Sequence, residues 1–265
     1  MIAEQPEELE RRLEQEGYVV LEGVLGADEV ARLRNFLTVA FAQHRRGDTP
    51  DSGIRTDSPL FDAMWPDFYQ ENPEWFSVFC NDRIVGALHG LLGGTFVLTR
   101  DSIVHSDYFS DWHTDTTTSE AAGDRTHLSP EWRMLTVGIY LQTGGGLEVV
   151  AGSHRQPDPF VALRTRHDAD IRQDQWFPST SIEIPLEAGD AVIFDMRLIH
   201  RAAPTTPRND RGEPCQKIGV FSRVSRNIPG HIEAYSVFRF DGAGSREENL
   251  PVLREQASHF GFLLD

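Results

Sequence analysis

Lysine is nearly missing from this chain: Lys217 is the single lysine among 25 basic residues, the other 24 being arginine. Basic charge as a whole is outnumbered by 41 acidic residues, for a formal net charge of -16. A field of that sign repels phosphate backbones and anionic lipid, so no nucleic acid and no membrane surface is expected as a partner. Cysteine is equally scarce. Cys80 and Cys215 are too few for a disulfide framework and form no Cys-x-x-Cys pair, which excludes a thiol redox motif and a zinc ribbon and leaves two reduced, structural thiols. No stretch approaches 18 uncharged apolar residues, and the segment from Met1 to Glu16 is acidic where a signal peptide would be basic and then apolar; the expected location is the cytoplasm. There is also no Gly-x-Ser-x-Gly, no Walker loop and no dinucleotide fingerprint, and Gly144-Gly145-Gly146 opens no helix, so it reads as a tight connection between strands.

What is present is an ordinary globular composition. The 265 residues are 39% hydrophobic and 25% charged, with a mean hydropathy of -0.38, which suits one folded domain over 1–265. The first third reads helical. Pro6 to Glu16 ends at Gly17, Asp28 to His44 carries Val30, Leu33, Leu37 and Phe41 at helical spacing, and Asp82 to Leu92 stops before Gly93-Gly94. A further helix is expected from Asn72-Pro73 through Phe79, a short β-run at Tyr18 to Leu21, and a long loop from Thr49 to Tyr69.

From Thr95 onward the pattern changes to short β-rich runs divided by Gly, Pro, Asp and Ser. Eight are expected: Thr95–Thr99, Ser102–His105, Met134–Leu141, Leu147–Val150, Ser181–Leu186, Ala191–Asp195, Lys217–Val224 and Ala234–Phe240. Arg246 to Phe260 reads as a closing helix. No helical pattern alternates with the strands, so the fold is mainly β, a sandwich, barrel or double-sheet jelly roll, with helices packed from the N-terminal third and one at the C-terminus.

The chemistry is carried by histidine. Trp112-His113-Thr114-Asp115 contains His-x-Asp, and in extended backbone residues i and i+2 point the same way, so one strand end can present an imidazole and a carboxylate to one metal. Chance alone supplies about 0.8 such pairs in a chain of this composition, so the motif by itself equally suits a surface pair. His200, which follows the run Ala191–Asp195, is a third candidate. In a jelly roll, strands distant in sequence lie side by side, and such a histidine can complete a face of two histidines and one carboxylate.

Taken in order, Gly17-Tyr18-Val19-Val20-Leu21-Glu22-Gly23-Val24-Leu25, His113-x-Asp115, Gly146 to Gly152-Ser153-His154-Arg155, and Gly189-Asp190 leading to His200 resemble the phytanoyl-CoA dioxygenase family over nearly the whole chain. The resemblance implies a double-stranded β-helix (jelly roll, cupin-like) enzyme that binds Fe(II), takes 2-oxoglutarate as co-substrate and consumes O2. It implies that His113, Asp115 and His200 are the metal ligands and that His154 is structural. A facial triad leaves three iron positions open, two for the oxo acid and one for dioxygen. Family-like halogenases replace the carboxylate by a small residue; its retention as Asp115 points to hydroxylation, desaturation or ring closure of a small-molecule substrate, with release of succinate and CO2.

The resemblance also implies a cation for the distal carboxylate of 2-oxoglutarate, usually an arginine about eleven residues beyond the second histidine. Arg211 has that spacing but falls in a loop-like stretch, whereas Lys217 opens the next β-run and is the better positional match; Arg223 shares its strand face by parity. His105 is a candidate for the inner carboxylate of the co-substrate. Thr114 reads as packing, and Phe109, Trp112 and Trp132 as core residues or pocket walls. His127, His167, His231 and His259 fit no ligand spacing and read as exposed. Beside the dioxygenase reading stand a cupin-like metal enzyme that uses no 2-oxoglutarate and an inactive metabolite-binding jelly roll.

Overall fold

A seven-stranded sheet forms the spine of the molecule. The computed structural model describes residues 5–45, 54–58, 61–64, 76–99, 103–106, 110–117, 120, 123, 126–129, 131–161, 178–209, 211–228, 255, 257–261 and 263–264. Among the described residues three α-helices come early in the chain. In α1 (Pro6–Glu16) the proline takes the first turn, where its missing N–H is harmless, and Gly17 ends the helix in left-handed backbone at φ 88°. Helix α2 (Ala27–Arg45) buries Val30, Leu33, Leu37 and Phe41 along one stripe. Helix α3 (Asp82–Leu92) is capped by Asn81, whose side chain accepts the Arg83 N–H at 3.0 Å.

The strands are β1 (Tyr18–Leu21), β2 (Ile54–Ser58), β3 (Phe61–Met64), β4 (Phe96–Leu98), β5 (Ile103–Ser106), β6 (Met134–Tyr140), β7 (Leu147–Val149), β8 (Ile182–Glu183), β9 (Ala191–Asp195), β10 (His200–Ala202), β11 (Ile218–Arg226) and β12 (Leu263–Leu264). The large sheet runs β1-β9-β6-β11-β4-β12, with β5 also paired to β11; a second sheet runs β10-β7-β8, and β2-β3 is a hairpin. Every pairing is antiparallel except β12 on β4. This is the double-stranded β-helix, mainly β with helices against one face.

Alternation along the strands makes two cores. Leu135, Val137 and Ile139 of β6 and Ile218, Val220 and Val224 of β11 turn toward the helices, joining Leu9, Leu33, Leu88 and Ala257 in one cluster. The opposite residues, with Val192 and Phe194 of β9, meet Leu147, Val149 and Leu186 between the two sheets. The candidate site opens at that second layer.

Several expectations change at this level. The expected loop Thr49–Tyr69 contains the β2-β3 hairpin, whose strands are made by mutual pairing rather than by a local hydrophobic period. The run Ser181–Leu186 shrinks to Ile182–Glu183, since Pro185 has no N–H to give the ladder. His200 opens its own strand, β10. The start of the Asn72–Phe79 helix, the strand Ala234–Phe240, most of the closing helix, Phe109, His167 and His231 lie outside the described residues; within that helix 255 and 257–259 are helical. No described helix is long and apolar enough to cross a membrane.

Two measurements check this packing. A methyl group at Gly17 would stand 2.6 Å from both His154 Nδ1 and Leu198 Cδ1, on backbone that disfavours a side chain, so Gly17→Ala should cost about 2 kcal/mol or more in urea unfolding. Burial pushes the Cys80 thiol up to about 12, whereas Cys215 is only half-buried. At pH 8 roughly one part in ten thousand of Cys80 is thiolate, so one thiol per native chain should react with Ellman's reagent and two after unfolding.

Candidate active site

Two backbone hydrogen bonds assemble the site. His113 N–H donates to the His200 carbonyl and His200 N–H to the His113 carbonyl, each at 2.9 Å, an isolated antiparallel bridge between the two segments. Asp115 N–H donates to Met196 O at 2.9 Å and extends the attachment. The two imidazole centroids lie 4.3 Å apart, and one ligand atom from each of His113, Asp115 and His200 falls within 4.8 Å of the others. The structure thus brings together the three residues singled out as metal candidates.

Their hydrogen bonds fit a metal. His113 Nδ1 lies 2.7 Å from Asp111 O and His200 Nδ1 2.9 Å from Leu198 O; a carbonyl only accepts, so both Nδ1 atoms carry the proton and both Nε2 lone pairs are turned to ligation. Burial, with His113 alongside, pushes the His200 imidazole down to about 4 and keeps it neutral. The Asp115 carboxylate is held from two neighbouring strands. Its Oδ2 accepts from Thr136 Oγ1 of β6 at 2.9 Å, and its Oδ1 from Arg223 Nη2 of β11 at 3.2 Å. Thr136 and Arg223 are direct partners in the β6-β11 register, which is why both reach the same carboxylate.

The remaining candidates divide. Lys217 and Arg223 are both buried and both line the cavity that contains the triad. Lys217 Nζ donates to Gly146 O at 3.2 Å. Arg211 is not brought in: it sits exposed on a turn, its N–H given to Asn209 Oδ1, because the segment from Pro207 to Pro214 bulges away before β11 begins. His105 of β5 lines the cavity opposite Gly219, edge-on to Phe221 at 5.1 Å. Thr114 Oγ1 points to Asp158 Oδ2 at 2.6 Å, so it braces the loop. Trp112 and Trp132 are buried in separate small clusters. His154 is buried in the turn after Gly152, whose φ is 75°, and its neighbour Ser153 Oγ accepts the Ile199 N–H at 2.8 Å, next to His200. His259 is exposed, but His127 is not. It is buried against Trp132, with Nε2 2.9 Å from Glu120 Oε2, a pairing that spacing along the chain does not announce.

Thr136, Tyr140 and Phe221 belong to the cavity wall and were missed by sequence reasoning. Strand β6 is buried on both faces, so polar alternation, the usual signal for which residues face a site, is absent. Parity with Lys217 and Arg223 on β11 was the signal available: Gly219 and Phe221 share that face, and their register partners are Tyr140 and Gly138.

The family model described as phytanoyl-CoA dioxygenase matches residues 13–212. No curated protein matches this sequence. Among solved structures, EctD from S. alaskensis, described with 2-oxoglutarate and 5-hydroxyectoine, is 20% identical with a TM-score of 0.59, covering 84% of this chain and 78% of that one. The epimerase SnoN in complex with Fe3+, alpha ketoglutarate and nogalamycin RO is 21% identical with a TM-score of 0.55, over 83% and 82% of the two chains. HygX from Streptomyces hygroscopicus, with nickel and 2-oxoglutarate bound, is 14% identical with a TM-score of 0.57, over 83% and 87%. At these identities the likeness establishes the shared fold.

Removing the Thr136 hydroxyl takes one of the two props from Asp115 without touching a candidate ligand. Thr136→Val should weaken Fe(II) or Co(II) affinity by roughly tenfold to a hundredfold, measured by competition with a chelating dye, with an unchanged far-UV circular dichroism spectrum.

Proposed function

Because the chain belongs to the phytanoyl-CoA dioxygenase family, and is with it a 2-oxoglutarate-dependent non-haem iron enzyme, we propose that it hydroxylates an unactivated C–H bond of a small molecule, releasing succinate and CO2. The observation that carries the reading is the convergence of His113, Asp115 and His200 within 4.8 Å in a cavity that Lys217 also lines. Bound there, iron(II) and 2-oxoglutarate supply the oxidising power from dioxygen.

In this reading His113 and His200 ligate through Nε2, their ring orientation set by the carbonyls of Asp111 and Leu198. Asp115 would give the third ligand, its carboxylate oriented by Thr136 and Arg223, which each donate to one of its oxygens. Lys217 is the anchor for the distal carboxylate, a compact point charge held in place by Gly146 O. His105 stands on the same wall as a polar contact for the inner carboxylate. Phe221, Leu147 and Phe194 supply the apolar surface that excludes water from the reacting centre.

A small-molecule substrate is supported by the similar structures, among them EctD described with 5-hydroxyectoine and two from nogalamycin biosynthesis, described as an epimerase and a carbocyclase; a natural product of comparable size suits a cavity at this position. The single-domain reading is supported by one core cluster that takes residues from Leu9 to Ala257.

Anaerobic titration of the protein with iron(II) and then 2-oxoglutarate tests the assignment through the metal-to-ligand charge-transfer band. The band is expected for the wild type and for Arg211→Ala, lost in His113→Ala, and shifted to at least tenfold higher 2-oxoglutarate in Lys217→Ala with iron affinity retained. Iron binding without a band would sink the co-substrate assignment and favour a metal enzyme or binding protein of the same fold. Succinate release at the wild-type rate from His113→Ala would sink the ligand set.

A further inference from the structure

The turn that delivers His200 is held from behind by an ion pair outside the cavity. Asp195 ends β9 and His200 opens β10, and the residues between them turn two carbonyls toward the metal candidates. Met196 O accepts the Asp115 N–H and Leu198 O faces His200 Nδ1, each at 2.9 Å. Every N–H within the turn has a partner. Met196 donates to Met134 O at 3.2 Å, Arg197 to Asp195 Oδ1 at 2.9 Å, and Leu198 to Asp195 O and Ile199 to Ser153 Oγ, both at 2.8 Å.

The side chain of Asp195 is 4% exposed, and its carboxylate takes three bonds from Arg197. The main-chain N–H and Nε donate to Oδ1 at 2.9 and 2.8 Å, and Nη2 to Oδ2 at 2.6 Å. The guanidinium is placed in turn by Trp132, 5.4 Å from the centre of that buried ring, and by His127 O, to which Nη1 donates at 3.4 Å. Neither Asp195 nor Arg197 is among the described residues that line the cavity. A buried ion pair is a weak source of stability, because desolvation offsets the attraction, and its better use is to select one geometry. The main chain of Asp195 is already fixed, by its register with Leu135 of β6 and by its N–H on Gly17 O at 2.9 Å. What the pair adds lies on the Arg197 side. It bridges residues i and i+2 across Met196, which sets the direction of the carbonyl that Asp115 needs.

We propose that Arg197 is a positioning residue for the metal centre: by gripping Asp195 across Met196 it aims the carbonyls that hold the Asp115 main chain and the His200 ring, and it touches neither metal nor substrate. The inference rests on the reading that His113, Asp115 and His200 bind the metal.

Arg197→Lys tests it, because a lysine keeps positive charge beside the buried carboxylate but replaces the two-pronged fork with a single ammonium. Cobalt(II) reports on the site, through its affinity in competition with a chelating dye and its geometry in the visible absorption bands. Arg197→Lys is expected to bind cobalt(II) roughly tenfold to a hundredfold more weakly than the wild type, with shifted bands. In the metal-free variant the Asp115 amide is expected to exchange with solvent roughly tenfold faster, while the amides of β6 change by less than about threefold. Wild-type affinity and bands in a variant that unfolds at lower urea mean that the pair serves only the fold, and equal acceleration at Asp115 and along β6 means the same; either overturns the proposal. Wild-type protein that binds no cobalt(II), or His113→Ala that binds it as tightly as the wild type, overturns the ligand reading and this inference together, which separates the two failures. Should Arg197→Lys not fold, Asp195→Asn combined with Arg197→Met removes both charges at once: a loss of cobalt(II) affinity of roughly tenfold or more supports the proposal and an unchanged affinity overturns it.

Discussion

The site hangs on the antiparallel bridge between His113 and His200. Two reciprocal hydrogen bonds fix the two α-carbons opposite each other, and the imidazoles, both on the cavity side, are then brought to 4.3 Å without any side chain having to find its partner. Their Nδ1 atoms are satisfied by carbonyls two residues upstream on their own segments, so ring orientation is also a backbone property. What surrounds the bridge supports it. Ser153 holds the N–H of Ile199, Met196 O holds the N–H of Asp115, and Asp158 gathers Thr114 and Thr117 on the far side of the ligand loop. A site whose geometry is set by main-chain bonds keeps its shape before a ligand arrives, which is the condition for a metal to bind without reordering the protein.

The same economy governs strands β6 and β11. Their alternate residues separate two tasks: Leu135, Val137, Ile139, Ile218, Val220 and Val224 weld the sheet to the helices, while Thr136, Tyr140, Lys217, Phe221 and Arg223 build the cavity wall. The glycines on the cavity side have a steric reason. The Phe221 ring lies over Gly138 and Gly219, where added methyl groups would come within 2.7 and 2.6 Å of it. Larger residues there would have to displace the ring, which lines the cavity.

Much of this was legible in the sequence, for identifiable reasons. Pro6 and Gly17 bound one run and Gly93 ends another, and α1 and α3 lie where those signals put them. Strand β9 coincides with the run Ala191–Asp195 because turn residues flank it. The Gly189-Asp190 motif proves to be a fastening: Asp190 accepts the N–H groups of Gly23 and Glu187, and Gly189, at φ 94°, passes so close to Leu25 O that a methyl group would sit at 2.5 Å. The hairpin β2-β3, strand β10 and the burial of His127 were not legible, since each is made by a partner distant in the chain or by pairing rather than by its own pattern. Arg211 lies exposed, away from the cavity, for a related reason: spacing counts residues, whereas the chain between β10 and β11 forms a bridged loop in which Arg208 pairs with Thr143 and Pro214, so the strand starts later than the spacing supposes.

Charge completes the argument. A chain of net charge -16 repels small dianions at long range, so whatever attracts them has to be local and desolvated. Lys217, immediately before β11, and Arg223 within it are both buried and stand six residues apart in the chain. Arg223 is committed to Asp115, a pair that is formally neutral and that loses strongly if either partner is removed. Lys217 Nζ donates to Gly146 O at 3.2 Å. The two buried cations thus differ in their contacts, Arg223 with the Asp115 carboxylate and Lys217 with the Gly146 carbonyl.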